Sequence, residues 1–224
     1  MQALKFEDET LRREIEAVLQ NYTPSQLDRI YLTACPKYRD REKEIPGIYG
    51  YIHDAATSRL LAEVQLRLDR AAVESEKRLR FGRVDGHVSV LLSEKPLLSI
   101  EVKVGRVKLV QPAVYSFLTG IKTVVADLQM GEVYTIDTRT ARIILKSLLR
   151  HLQVRGALKM RNCTIPGKDC YYCGESCRFR KDVKFNSNPL KLLTRIFRNM
   201  NAVVDKVVRE IEREMGDGGV KEKD

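Results

Sequence analysis

The period of the hydrophobic residues changes along this chain, and this change limits the possible folds more than any other feature. Near both ends apolar residues recur at helical spacing, most regularly between Leu193 and Ile211. From about residue 71 to residue 104 apolar and polar residues alternate instead, which is typical of strands with one buried face. A strand-rich centre enclosed by helices predicts an α/β fold in which helices flank a small mixed sheet.

Local signals set the expected elements. Thr23-Pro24-Ser25-Gln26 combines a capping box with a proline in the first turn, so a helix should begin at Thr23 and run to Cys35. Pro46–Gly50 is expected to be a loop. The expected helices are 5–20, 23–35, 53–64, 111–120, 138–160 and 193–211, and the expected strands are 83–90, 100–104, 124–128 and 132–136.

The charge of the chain favours a polyanionic partner. The 40 Lys and Arg residues exceed the 30 Asp and Glu residues, which gives a net charge of +10. Neutralising phosphates releases condensed counterions, so such a chain favours nucleic acid. An anionic membrane surface is the alternative, but no apolar run approaches the roughly 20 residues of a spanning helix. The N-terminus lacks the apolar core of a secretory signal, so a cytoplasmic protein is expected.

Alternation places two carboxylates and a lysine on one strand face. If strands 83–90 and 100–104 are neighbours with their valines in the core, Asp85, Glu101 and Lys103 meet on the exposed side. Two carboxylates directed at one point repel each other unless a cation lies between them, and Mg²⁺ or Mn²⁺ prefers oxygen ligands. The lysine is then placed to polarise a water or to stabilise phosphoryl charge. A solvated sheet face with an ordinary salt bridge is the alternative.

The same residues lie within motifs that resemble those of a nuclease family. Gly82-Arg83-Val84-Asp85-Gly86 followed by Ile100-Glu101-Val102-Lys103 resembles the core of the RecB-like branch of the PD-(D/E)xK nucleases. Gln111-Pro112-Ala113-Val114-Tyr115 resembles the Q-x-x-x-Y motif of that branch, and its spacing puts the Gln and Tyr one helical turn apart. His53 stands where the branch has an upstream histidine.

The resemblance implies a role for each residue. It assigns the metal ligands as His53, Asp85, Glu101 and the carbonyl of Val102, and the catalytic residues as Asp85, Glu101, Lys103, Gln111 and Tyr115. Lys103 would be the catalytic lysine, whereas Gln111 and Tyr115 would organise the site or contact DNA. From residue type alone, the alternatives are a structural or surface histidine at His53 and a core aromatic at Tyr115.

Five cysteines are the other chemical feature of the chain. Cys170-Tyr171-Tyr172-Cys173 puts two thiolates close enough to share a metal, and Cys177 follows, while Cys35 and Cys163 stand apart. In a reducing compartment such cysteines are metal ligands or free thiols more often than disulfides. On local spacing alone, a structural zinc site is the alternative to an iron–sulfur cluster.

One cysteine before the core and three after it resembles the layout of RecB-like nucleases that carry an iron–sulfur cluster. Size and motif order most resemble the CRISPR-associated family of RecB-like exonucleases, the Cas-four proteins. The resemblance implies that the cluster ligands are Cys35, Cys170, Cys173 and Cys177, with Cys163 a free thiol or a replacement for one of them. The usual form of the family is 4Fe–4S, and 2Fe–2S stays open because it also takes four thiolates. The gap before Cys177 is shorter than is usual in the family.

The resemblance also implies a function. The chain would be a metal-dependent exonuclease that digests single-stranded or partly single-stranded DNA from 5′ to 3′. It would prepare spacers for CRISPR adaptation in antiviral defence, and its partners would be the adaptation integrase proteins. The alternatives are a stand-alone DNA-repair nuclease of the same branch and a non-enzymatic zinc-ribbon protein that binds nucleic acid.

Four segments are expected along the chain. Residues 1–50 form N-terminal helices with the first cluster cysteine, and residues 51–160 form a RecB-like nuclease core. Residues 161–215 form an iron–sulfur cap from a cysteine segment and a C-terminal helix, and residues 216–224 form a disordered tail.

Overall fold

The structure, a computed structural model, describes residues 2–32, 47–157 and 188–217. The predictions about the cysteines lie outside the described residues, namely those for Cys35, Cys163, Cys170, Cys173 and Cys177. The tail from residue 218 onwards lies outside them as well. The structure therefore informs on the sheet, the helices around it and the predicted catalytic residues.

The described residues form six helices and seven strands, in an order that matches the change of period in the sequence. The helices are α1 (Gln2–Leu19), α2 (Pro24–Leu32), α3 (Gly47–Gln65), α4 (Val110–Thr119), α5 (Thr138–Ala157) and α6 (Pro189–Asp217). The strands are β1 (Ala71–Ser75), β2 (Arg78–Leu79), β3 (Gly82–Arg83), β4 (Gly86–Val90), β5 (Pro96–Lys103), β6 (Lys122–Asp127) and β7 (Glu132–Ile136). The capping box before α2 is confirmed, because the Thr23 N–H donates to Gln26 Oε1 at 2.8 Å and the Gln26 N–H donates to Thr23 Oγ1 at 3.3 Å.

Five of the strands form one mixed sheet in the order β1-β4-β5-β6-β7. β5 runs parallel to β6, and the other neighbours are antiparallel. β2 and β3 form a separate two-stranded hairpin. The predicted α/β architecture, a small mixed sheet flanked by helices, is confirmed, and β5 lies at the centre of the sheet.

Helices cover both faces of the sheet, so its central strand is buried on two sides. α3 and α6 pack on one face, where Val102 and Val204 belong to one apolar cluster. α4 and α5, joined by α1 and α2, pack on the other face, where Val114 and Leu145 belong to a second cluster. As a result, β5 is buried at consecutive residues from Leu98 to Val102 instead of alternating.

One predicted strand, 83–90, is interrupted. The link Val84–Asp85 separates β3 from β4, so the chain passes from the hairpin into the main sheet at this point. Val84 packs in the cluster below α4, whereas Val88 packs in the cluster below α3. The prediction that the two valines share a face is therefore wrong. Apolar and polar residues continue to alternate, but β3 pairs with β2 in the hairpin, whereas β4 pairs with β1 and β5 in the main sheet.

Two boundaries also differ from the sequence predictions. Gly47–Gly50 belongs to the first turn of α3 and not to a loop. A glycine within a helix costs about 0.5–1 kcal/mol, and burial of Leu60 and Val64 further along α3 outweighs that cost. Gly216 and Asp217, expected in the tail, belong to α6. Among the helices that the structure describes, none combines the length and the apolar character needed to cross a membrane.

Candidate metal-binding and catalytic site

The structure brings the predicted acidic pair and lysine together, but in a buried position. Glu101 and Lys103 lie on one face of β5, and Asp85 lies on the link that leads into β4. The Glu101 side chain is 1% exposed and that of Lys103 is 17% exposed. The predicted exposed sheet face is therefore wrong, because α4 and the helices packed on it cover this side of β5.

Glu101 and Lys103 form a buried ion pair, in which Lys103 Nζ donates to Glu101 Oε2 at 2.9 Å. Burial raises the pKa of Glu101 to about 7, although the positive charge of Lys103 opposes this shift. Burial alone would lower the pKa of Lys103, but the Glu101 carboxylate, with Asp85 and Asp28 nearby, raises that pKa above its usual value. At neutral pH the lysine is therefore charged, whereas Glu101 is near the midpoint of its titration.

The peptide of Val102 links the other two predicted ligands. Its N–H donates to Asp85 Oδ2 at 2.7 Å. Its carbonyl oxygen lies 3.3 Å from His53 Nε2, and His53 Nδ1 lies 3.3 Å from Asp54 Oδ1. The two contacts require different tautomers of a neutral imidazole: with the proton on Nε2 the ring donates to the Val102 carbonyl, whereas with the proton on Nδ1 it donates to Asp54 and the Nε2 lone pair can bind a metal. Asp85 and His53 therefore contact the two backbone polar groups of Val102, the residue that follows Glu101.

The donor set suits a hard divalent cation. Glu101 Oε1 is buried and has no hydrogen-bond partner among the described residues, so an acceptor oxygen is unsatisfied. Within residues 2–32, 47–157 and 188–217, no three His, Cys, Asp or Glu side chains already form a group that could hold a metal ion. The site has the right chemistry, and a cation would have to draw its side chains together.

Gln111 and Tyr115 connect the lysine to the hairpin. Gln111 Oε1 accepts from Lys103 Nζ at 3.3 Å, and Gln111 Nε2 donates to the Tyr115 hydroxyl at 3.2 Å. The Tyr115 hydroxyl donates to the Arg83 carbonyl at 3.1 Å, and burial raises the pKa of Tyr115 to about 12, so the hydroxyl keeps its proton. Gly82 permits this contact, since a Cβ there would lie 2.5 Å from the Tyr115 hydroxyl oxygen. Both predicted residues therefore hold neighbouring groups in place.

Asp28, on α2, belongs to the same network, although sequence reasoning missed it. It is 1% exposed, and its carboxylate accepts from the Val110 N–H at 2.7 Å and from the Gln111 N–H at 3.2 Å. It therefore caps the first turn of α4, where free N–H groups and the helix dipole favour a negative charge. Burial raises the pKa of Asp28, and the charge of Lys103 opposes that shift. The one available signal is an acidic residue on the apolar side of an amphipathic helix.

Comparison of the chain with protein-family models, with curated proteins and with solved structures gave no match. What the site can do therefore follows from its own contacts. These form a continuous network in which Asp28 caps α4, Gln111 contacts Lys103, and Lys103 pairs with Glu101.

Proposed function

We propose that this chain is a metal-dependent deoxyribonuclease that hydrolyses phosphodiester bonds. The observation that carries the proposal is the buried Glu101–Lys103 pair, which lies with Asp85 around the Val102 peptide. Burying an ion pair costs stability, and strongly shifted pKa values in such groups are typical of functional sites. The net charge of +10 favours a phosphate-bearing substrate.

The residues that would hold the cation are Asp85, Glu101, His53 and the carbonyl of Val102. When bound, Mg²⁺ or Mn²⁺ would act as a Lewis acid on the phosphoryl group and lower the pKa of a water molecule. Glu101 would have to give up its proton first, because its pKa is about 7 in the unliganded protein. Its Oε1 atom, which has no partner among the described residues, supplies a free ligand oxygen.

Lys103 would stabilise the negative charge that develops on the phosphoryl oxygens. Its raised pKa keeps it charged, and its ammonium group is held by Glu101 and Gln111. Asp28 in turn holds the first turn of the helix that carries Gln111. A preorganised donor of this kind contributes about 10²- to 10³-fold to turnover, because it needs no reorganisation during the reaction.

The finer proposal follows the motif order of the RecB-like nucleases. The substrate would be single-stranded or partly single-stranded DNA, digested from 5′ to 3′, and the setting would be CRISPR spacer acquisition with the adaptation integrase proteins. An iron–sulfur cluster, 4Fe–4S in the usual form of the family, would be bound by Cys35, Cys170, Cys173 and Cys177. The support for these points is the sequence order of the histidine, acidic, lysine, Q-x-x-x-Y and cysteine motifs.

A nuclease assay on the full-length protein tests the proposal. Single-stranded oligonucleotides labelled at either end should be degraded in Mg²⁺ or Mn²⁺ and should stay intact in EDTA. Asp85→Ala and Glu101→Gln should abolish cleavage, because each removes a ligand oxygen. Glu74→Ala is the matched control, since Glu74 is an exposed carboxylate of β1 that pairs with Lys77 outside the network; it should cleave like the unmodified protein.

Circular dichroism and thermal melting of each variant separate loss of chemistry from loss of fold. Full activity of folded Asp85→Ala or Glu101→Gln would exclude this metal site. Cleavage that persists in EDTA would exclude metal dependence. Early release of a 5′ label as mononucleotide would indicate 5′-to-3′ digestion, and early release of a 3′ label the opposite polarity.

A further inference from the structure

We propose that a groove beside the site binds a single-stranded DNA segment by stacking its bases and pairing with its phosphates. The groove has a volume of about 640 Å³ and is lined by Leu19–Gln26, Arg80–Arg83, Asp85, Gln111 and Tyr115. The inference rests on the proposed nuclease function, because it names the surface that leads substrate to that site. We call this surface the hairpin groove.

The hairpin groove has two walls. The turn between α1 and α2 forms one wall, and the β2–β3 hairpin forms the other. Asp85, Gln111 and Tyr115 complete the lining, so three of the five predicted catalytic residues border the groove. A strand in the groove would therefore contact residues of the network, among them Gln111, which is hydrogen-bonded to the buried Lys103.

Two arginines on the hairpin supply positive charge. Arg80 and Arg83 both line the groove, and their side chains are 76% and 58% exposed. Arg80 lies 3.5 Å from Glu16, and Arg83 lies 3.0 Å from Glu76. Exposed pairs of this kind contribute little to stability, so phosphate groups can replace the carboxylates at small cost.

Two aromatic residues supply stacking surfaces. Tyr22, on the turn between α1 and α2, lines the groove and is 42% exposed, so part of its ring is accessible to a ligand. The guanidinium of Arg80 lies over the Phe81 ring, 4.8 Å from its centroid, so a cation and an aromatic ring lie together at the turn of the hairpin. Bases of nucleic acids stack both on aromatic rings and on arginine planes.

These features favour a single strand over a duplex. In a duplex the faces of the bases are already stacked on one another and only their edges are accessible. In a single strand the base faces are free, and a groove that combines cations with exposed rings binds both parts of each nucleotide. The chemistry of Tyr22, Arg80, Phe81 and Arg83 therefore matches an unpaired strand.

Equilibrium binding without cleavage tests this inference. We would measure fluorescence anisotropy of labelled oligothymidylate, and of a labelled duplex, with the full-length protein in EDTA. Tyr22→Ala and Phe81→Ala should each weaken single-strand binding by about 5- to 150-fold, the range measured for loss of one stacked base. Arg80→Gln and Arg83→Gln should each lower the slope of log affinity against log salt concentration by about 0.7.

The chain offers a matched control on its opposite side. Arg59 lies over the Phe197 ring, 5.3 Å from its centroid, and Phe197 is 57% exposed, but neither residue lines the hairpin groove. Phe197→Ala and Arg59→Gln should bind oligothymidylate like the unmodified protein. Tyr22→Phe keeps the ring and should bind normally, which separates the ring from the hydroxyl group, and thermal melting of Tyr22→Ala and Phe81→Ala checks that both variants fold.

Several outcomes would overturn the inference. Wild-type affinity in both Tyr22→Ala and Phe81→Ala would do so, as would an equal loss in Phe197→Ala. An equal loss of duplex binding would show that the groove binds a duplex instead. Because binding is measured in EDTA, it does not depend on cleavage. If the wild type never cleaves DNA but Tyr22→Ala and Phe81→Ala lose binding, the nuclease proposal alone is wrong. If the wild type cleaves DNA in Mn²⁺ but the groove variants bind normally, the groove proposal alone is wrong.

Discussion

Glu101 should make the stability of the metal-free protein fall as pH rises towards neutrality. Burial raises its pKa from 4.5 to about 7 in the folded protein. Between these two pH values the folded state binds more protons than the unfolded state, so the free energy of unfolding decreases with increasing pH. The contribution of Glu101 is therefore fully present below pH 4.5 and is lost as pH rises to about 7. This direction is opposite to that of an ordinary salt-bridged carboxylate.

The size of the effect follows from the shift. One pH unit corresponds to about 1.4 kcal/mol for each differentially bound proton, so Glu101 accounts for roughly 3 kcal/mol across the window. The residue is 1% exposed, so solvent screening reduces this figure little. Burial also raises the pKa of Asp28, so the quantity to compare is the difference between the wild type and Glu101→Gln, which has no proton to lose.

Urea unfolding in EDTA at several pH values from about 5 to 7.5 measures this difference. The stability of the wild type relative to Glu101→Gln should fall steadily with pH. In a second series, with Mn²⁺ in place of EDTA, the cation should stabilise the wild type more at the upper end, because it must displace the proton. Glu212→Gln, at an exposed position of α6, should show no such trend relative to the wild type. Parallel pH profiles for the wild type and Glu101→Gln would refute the reasoning.

Three further predictions concern the rest of the network and the cysteines. Lys103→Ala should reduce single-turnover cleavage by about 10²- to 10³-fold with little change in DNA affinity; loss of affinity alone would make the lysine an ordinary phosphate contact. Asp28→Asn should lower the free energy of unfolding by about 1–3 kcal/mol, because one of the two N–H groups at the start of α4 loses its acceptor. Asp137→Asn, at the exposed start of α5, is the control and should have almost no effect, since Asn caps helices as well as Asp does. Equal denaturation midpoints for the two variants would contradict this prediction. Anaerobically purified protein should be brown and contain iron and sulfide. The Cys35→Ala variant should lose the brown colour, whereas Cys163→Ala should keep it. A colourless protein with stoichiometric zinc would contradict the proposed iron–sulfur cluster.

Much of the fold could be predicted because periodicity records which residues share a face. Glu132–Ile136 alternates after the turn at Met130-Gly131, and it forms β7 with those bounds. The regular apolar spacing from Leu193 onwards likewise marks α6. Periodicity does not record what covers a face, however. The sequence therefore places Glu101 on the correct side of β5 but leaves it exposed, because the covering helix α4 is a separate element.

The rest of the site depends on contacts between residues that are far apart in sequence. Asp28 acts on the Val110 N–H, 82 positions away, and no local pattern encodes that pairing. The hairpin groove was missed for the same reason, since the turn at Tyr22 and the hairpin at Phe81 meet only in the folded chain. In contrast, the resemblance to the nuclease motifs implied that Lys103 and Gln111 belong to one site, and the two side chains are in contact.

A divalent cation at the Val102 peptide is the feature on which the proposed reaction depends, and anomalous X-ray diffraction from crystals soaked in Mn²⁺ locates such an ion directly. We expect one manganese peak in contact with the Val102 carbonyl oxygen and with carboxylate oxygens of Asp85 and Glu101. The peak should be absent from crystals of Glu101→Gln. Manganese bound elsewhere, or no peak at a Mn²⁺ concentration that supports cleavage, would contradict the proposed site.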